Sequence, residues 1–329
     1  MRVAVDAMGG DHAPREVVAG GIDAARSEPD SSVLLVGDRE AIERELAVAG
    51  GAPANVRIVH ASQQIGMGDS PVEALKRNPD ASILRTVQLI AAGEADACIA
   101  AGSTGAAVAA AMMALPRLPG VKRPAIAVPF PARNRHGVCL LLDVGANPAC
   151  RPSHLYQYAI MGANYFRSVF GEQNPRVALV SIGEEEAKGN QLVKETTKLL
   201  RGSAVNFVGN AEGRDLFGGA CEVGVTDGFV GNVILKAAEG FAEVVLGMVA
   251  DLVREHNPAL LKDLARKVDY AEYGGAPLLG VQGIVMICHG RSDRRAIANA
   301  IRVGARAVAR HVNADIVRGL TTESAGTAS

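Results

Sequence analysis

The chain has 329 residues, 48% hydrophobic and 21% charged, with a formal net charge of −1. That length can bury the core of one large α/β domain or two modest ones, and the near-neutral charge removes any global electrostatic case for nucleic acid. Tryptophan is absent and aromatic residues are 4%, so the core must be built from Ala, Val, Leu and Ile.

Val3–Asp6 is a strand, followed by the loop Ala7–Pro14 and a helix opening at the proline. Val33–Gly37 is a second strand, followed by a helix with Ile42, Leu46 and Ala49 at helical spacing. Val56–Val59 is a third strand. Short, nearly continuous apolar strands alternating with helices describe a parallel sheet covered on both faces. Gly66-Met-Gly-Asp-Ser-Pro71 has the start of a dinucleotide fingerprint, but Pro71 stands where the third glycine belongs, and that reading is rejected. A helix through Ser82–Ala92 leads to Asp96–Ala106. There an apolar strand breaks at Gly102-Ser103-Thr104-Gly105 and resumes as an Ala-rich helix to Leu115. The glycines permit a tight turn and close approach to a ligand. The first helical N–H groups are free, and the Ser103 and Thr104 hydroxyls can cap the helix or donate to an oxyanion. Taken alone, the segment is equally an ordinary capped turn.

Ala125–Val128 and Val138–Asp143 are strands joined by the polar turn Arg133–His136, as in a hairpin. A helix carrying Tyr156, Tyr158, Tyr165 and Phe166 follows. Val177–Ile182 is a buried strand ending in Gly183–Asn190, then a helix through Leu200, the strand Val205–Val208 and the loop Gly209–Gly213. Val223–Asp227 leads into Gly228–Asn232 and a long helix with a stripe of Phe241, Val244, Val245, Met248, Val249 and Leu252. His256-Asn-Pro258 breaks it. A shorter helix carries Leu260, Leu261, Leu264 and Val268 on one side. Tyr273–Pro277 reads as a loop and Ile284–Ile287 as a last strand, ending in His289–Ser292. An Arg-rich helix (Arg294, Arg295, Arg302, Arg306, Arg310) closes the fold. The chain reads as a single α/β domain over 1–320 with a protruding helical hairpin at 239–268, and 321–329 as a disordered tail.

The five cysteines are odd in number and irregularly spaced, with no C-x-x-C pair. This suits a reducing cytosol and offers neither a disulfide framework nor a zinc site. Met1–Asp6 turns polar too early for a signal peptide, and the longest apolar run, near Ala106–Leu115, is well short of the roughly 20 residues of a membrane span. A cytoplasmic location is expected, with any membrane contact peripheral.

One construction recurs. Strands end in polar, Gly-rich loops at Asp6…Asp11-His12, Gly102–Gly105, Asp143…Asn147, Gly183-Glu184…Lys188-Gly-Asn190, Asp227…Asn232 and His289…Ser292. In a parallel sheet these carboxyl ends share one edge, where open α/β folds bind ligands. There is no Walker A loop, no G-x-S-x-G elbow, no H-E-x-x-H and no complete G-x-G-x-x-G. Cys288 and His289 are adjacent and point to opposite faces of a strand, which is wrong for a nucleophile–base pair. Glycines, amides, hydroxyls, one prominent lysine and several carboxylates equip the edge to hold an oxyanion.

These loops resemble those of the bacterial phosphate acyltransferases of the PlsX type. The resemblance is carried by Asp6-Ala-Met-Gly-Gly-Asp-His-Ala-Pro14, Ala101-Gly-Ser-Thr-Gly-Ala106, Leu142-Asp-Val-Gly-Ala-Asn147 and Ile182-Gly-Glu-Glu-Glu-Ala-Lys-Gly-Asn190. It continues in Gly209-Asn-Ala-Glu-Gly-Arg-Asp215, Thr226-Asp-Gly-Phe-Val-Gly-Asn232, Tyr273–Gly283 and His289-Gly290, and it runs from Met1 to about Val312. One departure is Ser103, where the family usually has Asn; serine keeps a donor and can cap a helix.

The resemblance implies transfer of a long-chain acyl group from acyl carrier protein to inorganic phosphate. The acyl phosphate would pass to a membrane glycerol-phosphate acyltransferase in phospholipid synthesis. It also implies a three-layer α/β/α fold with a mostly parallel sheet, similar to isocitrate and isopropylmalate dehydrogenases, a homodimer, and no cofactor. Phosphate is already largely dianionic near neutral pH, so the task is positioning and oxyanion stabilisation rather than strong base catalysis. On that footing Gly102, Ser103, Thr104 and Gly105 bind phosphate, with Asp11, His12, Asn147 and Asn190 as further candidates. Lys188 and Asn232 flank the reacting carbonyl, and His289 is a third catalytic candidate. Asp6, Asp143, Glu184 and Asp227 orient loops, and two separated carboxylates make a poor metal case. Lys188 also reads as a solvated lysine at a helix start, and either histidine as a structural hydrogen-bonding residue.

The hairpin tip, with Leu260, Leu261 and Leu264 beside Arg254, Lys262, Arg266 and Lys267, suits shallow insertion at an anionic membrane surface or packing at a dimer interface. Two other functional readings stay open: a dehydrogenase or phosphate acetyltransferase on the same fold, and a non-catalytic, phosphate-ligand-binding membrane adaptor.

Overall fold

The computed structural model describes residues 1–253 and 273–326. In chain order the strands are β1 (Arg2–Asp6), β2 (Ser32–Gly37), β3 (Val56–His60), β4 (Ala97–Ala100), β5 (Ala125–Pro131), β6 (Val138–Leu142), β7 (Val177–Val180), β8 (Phe207–Ala211), β9 (Val223–Val225), β10 (Ala276–Leu279) and β11 (Ile284–Ile287). The helices are α1 (Arg15–Ser27), α2 (Arg39–Val48), α3 (Pro71–Arg77), α4 (Ser82–Ala91), α5 (Thr104–Ala114), α6 (Pro152–Phe170), α7 (Gln191–Arg201), α8 (Gly213–Gly218), α9 (Gly228–Val253), α10 (Arg294–Ala309) and α11 (Val312–Gly326). The chain divides into two compact units, Met1–Pro119 with Tyr273–Ala314, and Gly120–Glu272 with Asp315–Ser329.

In the first unit the strand order is β3-β2-β1-β4-β11-β10, and every pairing is parallel except β10–β11. The inner strands are buried on both sides: all of β4, Ala-Cys-Ile-Ala, is inaccessible. Side chains alternate across a strand. Ala97 and Ile99 of β4 face Gly304 of α10, which leaves Cys98 and Ala100 for the face that α4 and α5 cover. Helices therefore lie on both faces, as the continuous apolar strands require.

In the second unit the order is β5-β6-β9-β7-β8. β5 and β6 form the antiparallel hairpin expected around Arg133–His136, and the remaining pairings are parallel. Helix α6 buries 12 of its 19 residues. A side chain at its Gly162 would lie 2.7 Å from Val223 and 2.9 Å from Leu142, so only glycine lets the helix sit this close to the sheet.

Several boundaries differ from the sequence reading. Ala276–Leu279 is a strand, not part of a loop; Gly274 and Gly275, both at positive φ, turn the chain into it, and Pro277 is tolerated opposite Met286. Pro71, which spoiled the dinucleotide fingerprint, instead opens α3. β8 runs on to Ala211, and α9 begins at Gly228, which puts Asn232 in a first helical turn rather than a loop. Beyond Leu320, α11 continues to Gly326, with Thr321 and Thr322 hydroxyls donating to the carbonyls of Val317 and Arg318. Of the expected hairpin at 239–268, the part up to Val253 lies in α9. Residues 254–272, with Leu260, Leu261 and Leu264, lie outside the described residues. No described helix is long and apolar enough to cross a membrane.

Candidate active site

In the first unit three strand-end loops meet backbone to backbone. A Cβ on Gly9 would stand 2.9 Å from the Gly102 nitrogen and 2.7 Å from Oδ2 of Asp6, so the β1 and β4 loops touch only because both positions are glycine. The Asp11 N–H donates to the Gly290 carbonyl at 2.8 Å, which ties in the loop after β11. Ser103 is the N-cap of α5: its Oγ accepts from the Ala106 N–H at 3.4 Å. Thr104 and Gly105 stand exposed in the first turn, where helical N–H groups and the positive end of the dipole are available to an anion. Asp11 and His12 are also exposed; the His12 carbonyl accepts from Glu16 N–H at the start of α1. His289 Nδ1 accepts from the Arg291 N–H at 3.1 Å, which fixes that ring nitrogen as an acceptor.

Asp6 lies beneath these loops, with Ser82, Gly102 and Ser103 around the same small cavity. Burial pushes its carboxyl up to about 6, against the opposing hydrogen bonds from Ser82, Met8 and Gly9. A folded-state value raised above the unfolded one favours folding most at low pH. The contribution is fully present below the unfolded value and is lost as pH rises through about 6. Asp6→Asn is therefore expected to raise stability at pH 8 by on the order of 2 kcal/mol and to leave it nearly unchanged at pH 4. Urea unfolding at both pH values measures this, and an equal change at the two would contradict it.

In the second unit Asp143 organises a separate cluster. Its Oδ1 accepts from the N–H groups of Ile126 (3.0 Å) and Ala146 (3.1 Å), and its Oδ2 from the Asn147 N–H (2.7 Å) and Nδ2 (2.9 Å). Burial still prevails and raises its pKa. Asn147 Nδ2 also donates to the Pro124 carbonyl at 2.7 Å. Both donors of this expected phosphate ligand are thus already used within the fold. The Asn147 carbonyl accepts from the Gly228 N–H, and Asp227 Oδ1 caps α9 by accepting from Phe229 and Val230, each at 3.0 Å. Asn232 is exposed on the first turn of α9, with its Oδ1 3.7 Å from where a side chain on Gly145 would begin.

Lys188 belongs to the loop after β7, a different element. Its N–H donates to the Glu185 carbonyl at 3.0 Å. Its side chain is exposed, and among the described residues no hydrogen bond or ion pair holds the ammonium. Glu184 points toward Arg214 at 3.9 Å. Asn190 caps α7 by accepting from the Val193 N–H at 3.0 Å, so its side-chain oxygen serves the helix. Sequence reasoning missed Asn210, whose Nδ2 donates to the Glu185 carbonyl at 2.9 Å and braces the Lys188 loop from β8. Its place in the quoted Gly209–Asp215 motif was the available signal.

In each unit helices flank a mostly parallel sheet, the architecture of an α/β protein, and in such folds ligands bind at the carboxyl ends of the strands. The chain belongs to the phosphate acyltransferase family: its residues 1–315 match the family described as fatty acid synthesis protein. It is 49% identical over 318 residues to the phosphate acyltransferase of Desulforamulus reducens, covering 94% of each chain. To that of Pelotomaculum thermopropionicum it is 47% identical over 328 residues, 96% of this chain and 94% of the relative. Among solved structures, a phosphotransacetylase from Streptococcus pyogenes shares the fold at TM-score 0.64, with 18% identity and 94% of each chain covered. A 4-hydroxythreonine-4-phosphate dehydrogenase from Klebsiella pneumoniae does so at 0.54, with 15% identity and 94% and 98% coverage. The expected dehydrogenase-like α/β fold is the one observed.

Proposed function

We propose that the protein transfers a fatty acyl group from acyl carrier protein to inorganic phosphate, releasing acyl phosphate and free carrier protein. The observation that carries this reading is the Gly102–Gly105 turn, a helix N-terminus capped by Ser103 with Thr104 and Gly105 exposed. Full-length similarity to relatives named phosphate acyltransferase supports it. Phosphate acts as its own nucleophile, and the protein supplies position and charge. In this reading the Gly102–Gly105 amides and the Ser103 and Thr104 hydroxyls seat phosphate. Lys188 and Asn232 serve the thioester carbonyl as it becomes an oxyanion. Asp143 and Asp227 hold their loops in shape.

The partners of this reading are acyl carrier protein, a second copy of the chain, and peripheral contact with an anionic membrane surface, ahead of a membrane glycerol-phosphate acyltransferase. Incubation with acyl-carrier-protein thioester, with and without phosphate, should release free carrier only when phosphate is present. Release that ignores phosphate, or none at all, would defeat the enzyme reading. Sedimentation of the same preparation, alone and with anionic vesicles, should give a dimer that pellets with lipid.

A further inference from the structure

We infer that acyl carrier protein, an acidic partner, docks by charge on a basic surface beside the Asp143 cluster, formed by Lys122, Arg123 and Arg151 around His154. The assignment rests on the acyltransferase reading above. The sequence is lopsided there: between Asp96 and Glu172 the only acidic residue is Asp143, and it is buried. Lys122 and Arg123 precede β5, Arg151 precedes α6, and all three are exposed. Their fields converge on His154 in the first turn of α6, whose pKa is lowered by burial first and then by Arg123, Arg151 and Lys122. Among the described residues no carboxylate acts on that ring in the opposite sense. Other arginines of this unit are committed: Arg135 pairs with Glu172 and Arg176 with Glu222. Among the described residues no carboxylate pairs with Arg123 or Arg151. The N-terminal end of α6 adds the positive pole of its dipole to the same surface.

The backbone under these cations is fixed, and it is continuous with the candidate site. The Lys122 N–H donates to Gln157 Oε1 at 2.8 Å, and Gln157 Nε2 donates to the Gly120 carbonyl at 2.7 Å, so the loop is pinned to α6. The Arg151 N–H donates to His154 Nδ1 at 3.2 Å. A partner therefore meets a preorganised scaffold, which lowers the entropic cost of docking. Pro124, the residue after Arg123, gives its carbonyl to Asn147, and Arg151 ends the loop that begins at Asp143. The same loop carries Gly145, beside Asn232. A carrier held on these cations stands at the strand-end edge where its thioester must meet Asn232. The surface also selects a folded acidic protein over a lipid bilayer. Shallow membrane binding combines cations with apolar side chains. Among the described residues, none between Met113 and Ile182 exposes a large hydrophobic side chain.

Charge reversal at two of the cations, Arg123→Glu with Arg151→Glu, tests the dock on the full chain. Binding of fluorescently labelled carrier protein, followed by anisotropy without phosphate, should weaken at least ~10-fold, and its salt dependence should flatten. KM for hexadecanoyl carrier protein should rise by the same factor while kcat stays within about 2-fold, the signature of lost docking without lost chemistry. Arg57→Glu with Lys198→Glu makes the same change in net charge at exposed positions outside the patch, and should leave binding within about 2-fold. Arg123→Gln with Arg151→Gln is the milder pair if reversal prevents folding, and should give a smaller shift of the same sign. Unchanged carrier binding in the reversed pair, an equal loss in the control pair, or no carrier binding by the wild type would each overturn the assignment. So would loss of pelleting with anionic vesicles while carrier binding persists, which would give the patch to the membrane. Absence of phosphate-dependent release by the wild type would instead defeat the enzyme reading, while the binding measurement still tests the dock.

Discussion

Gly231→Ala is expected to destabilise the protein by about 3–5 kcal/mol, in the range reserved for severe steric and packing defects. A Cβ at this position would stand 1.9 Å from the Asp143 carbonyl oxygen and 3.2 Å from Cγ2 of Thr226. The carbonyl belongs to backbone that cannot retreat. The Asp143 N–H is bonded to the Thr226 carbonyl at 3.0 Å, and its carboxylate is held by hydrogen bonds from three residues. In an unconstrained helix the same substitution would favour folding by up to about 1 kcal/mol. Gly240→Ala, on the same helix with nothing within 4 Å of its Cβ, is the matched control and should show that gain. Urea unfolding of the two variants should move in opposite directions. A Gly231→Ala protein as stable as the wild type would mean that α9 does not sit against Asp143 this closely.

That contact also marks where sequence reasoning stops. Strand–helix alternation and the β5–β6 hairpin were legible because apolar periodicity reports burial, whereas the α9 stripe gave the helix by its spacing alone, since Phe241, Val244 and Met248 are exposed. Strand β10 was not, because Gly274-Gly275 and Pro277 read as punctuation, while its pairing with β11 is a tertiary fact. The six strand-end loops were found from their polar, Gly-rich composition, but composition cannot say which polar side chains the fold consumes. Asn147 and Asn190 were expected to face phosphate. In the structure one spends its amide donors on Asp143 and Pro124, and the other gives its oxygen to the start of α7. Both bonds lie within or just before a helix or strand start, where Asn serves the backbone as readily as a ligand. Asn210 shows the converse: read as part of the loop Gly209–Gly213, it lies in β8 and braces the Lys188 loop, a role that its motif marked but its composition could not assign.

Lys188→Ala and Asn232→Ala are each expected to lower kcat by ~10²–10³, the usual effect of removing one donor to a developing oxyanion. Neither should change stability by more than about 0.5 kcal/mol, because both side chains are exposed and no described hydrogen bond or ion pair holds the Lys188 ammonium. That separation is what distinguishes the two roles open to Lys188: a solvated lysine at a helix start would leave turnover intact. Asn190→Ala supplies the opposite signature. It removes the N-cap of α7 and should cost about 1 kcal/mol of stability while moving kcat much less than Lys188→Ala does. Rates and urea midpoints measured on Lys188→Ala and Asn190→Ala sort the loop after β7 into its working and supporting residues. Near-normal turnover in Lys188→Ala would remove it from the chemistry and leave Asn232, beside the positive end of α9, as the carbonyl's partner.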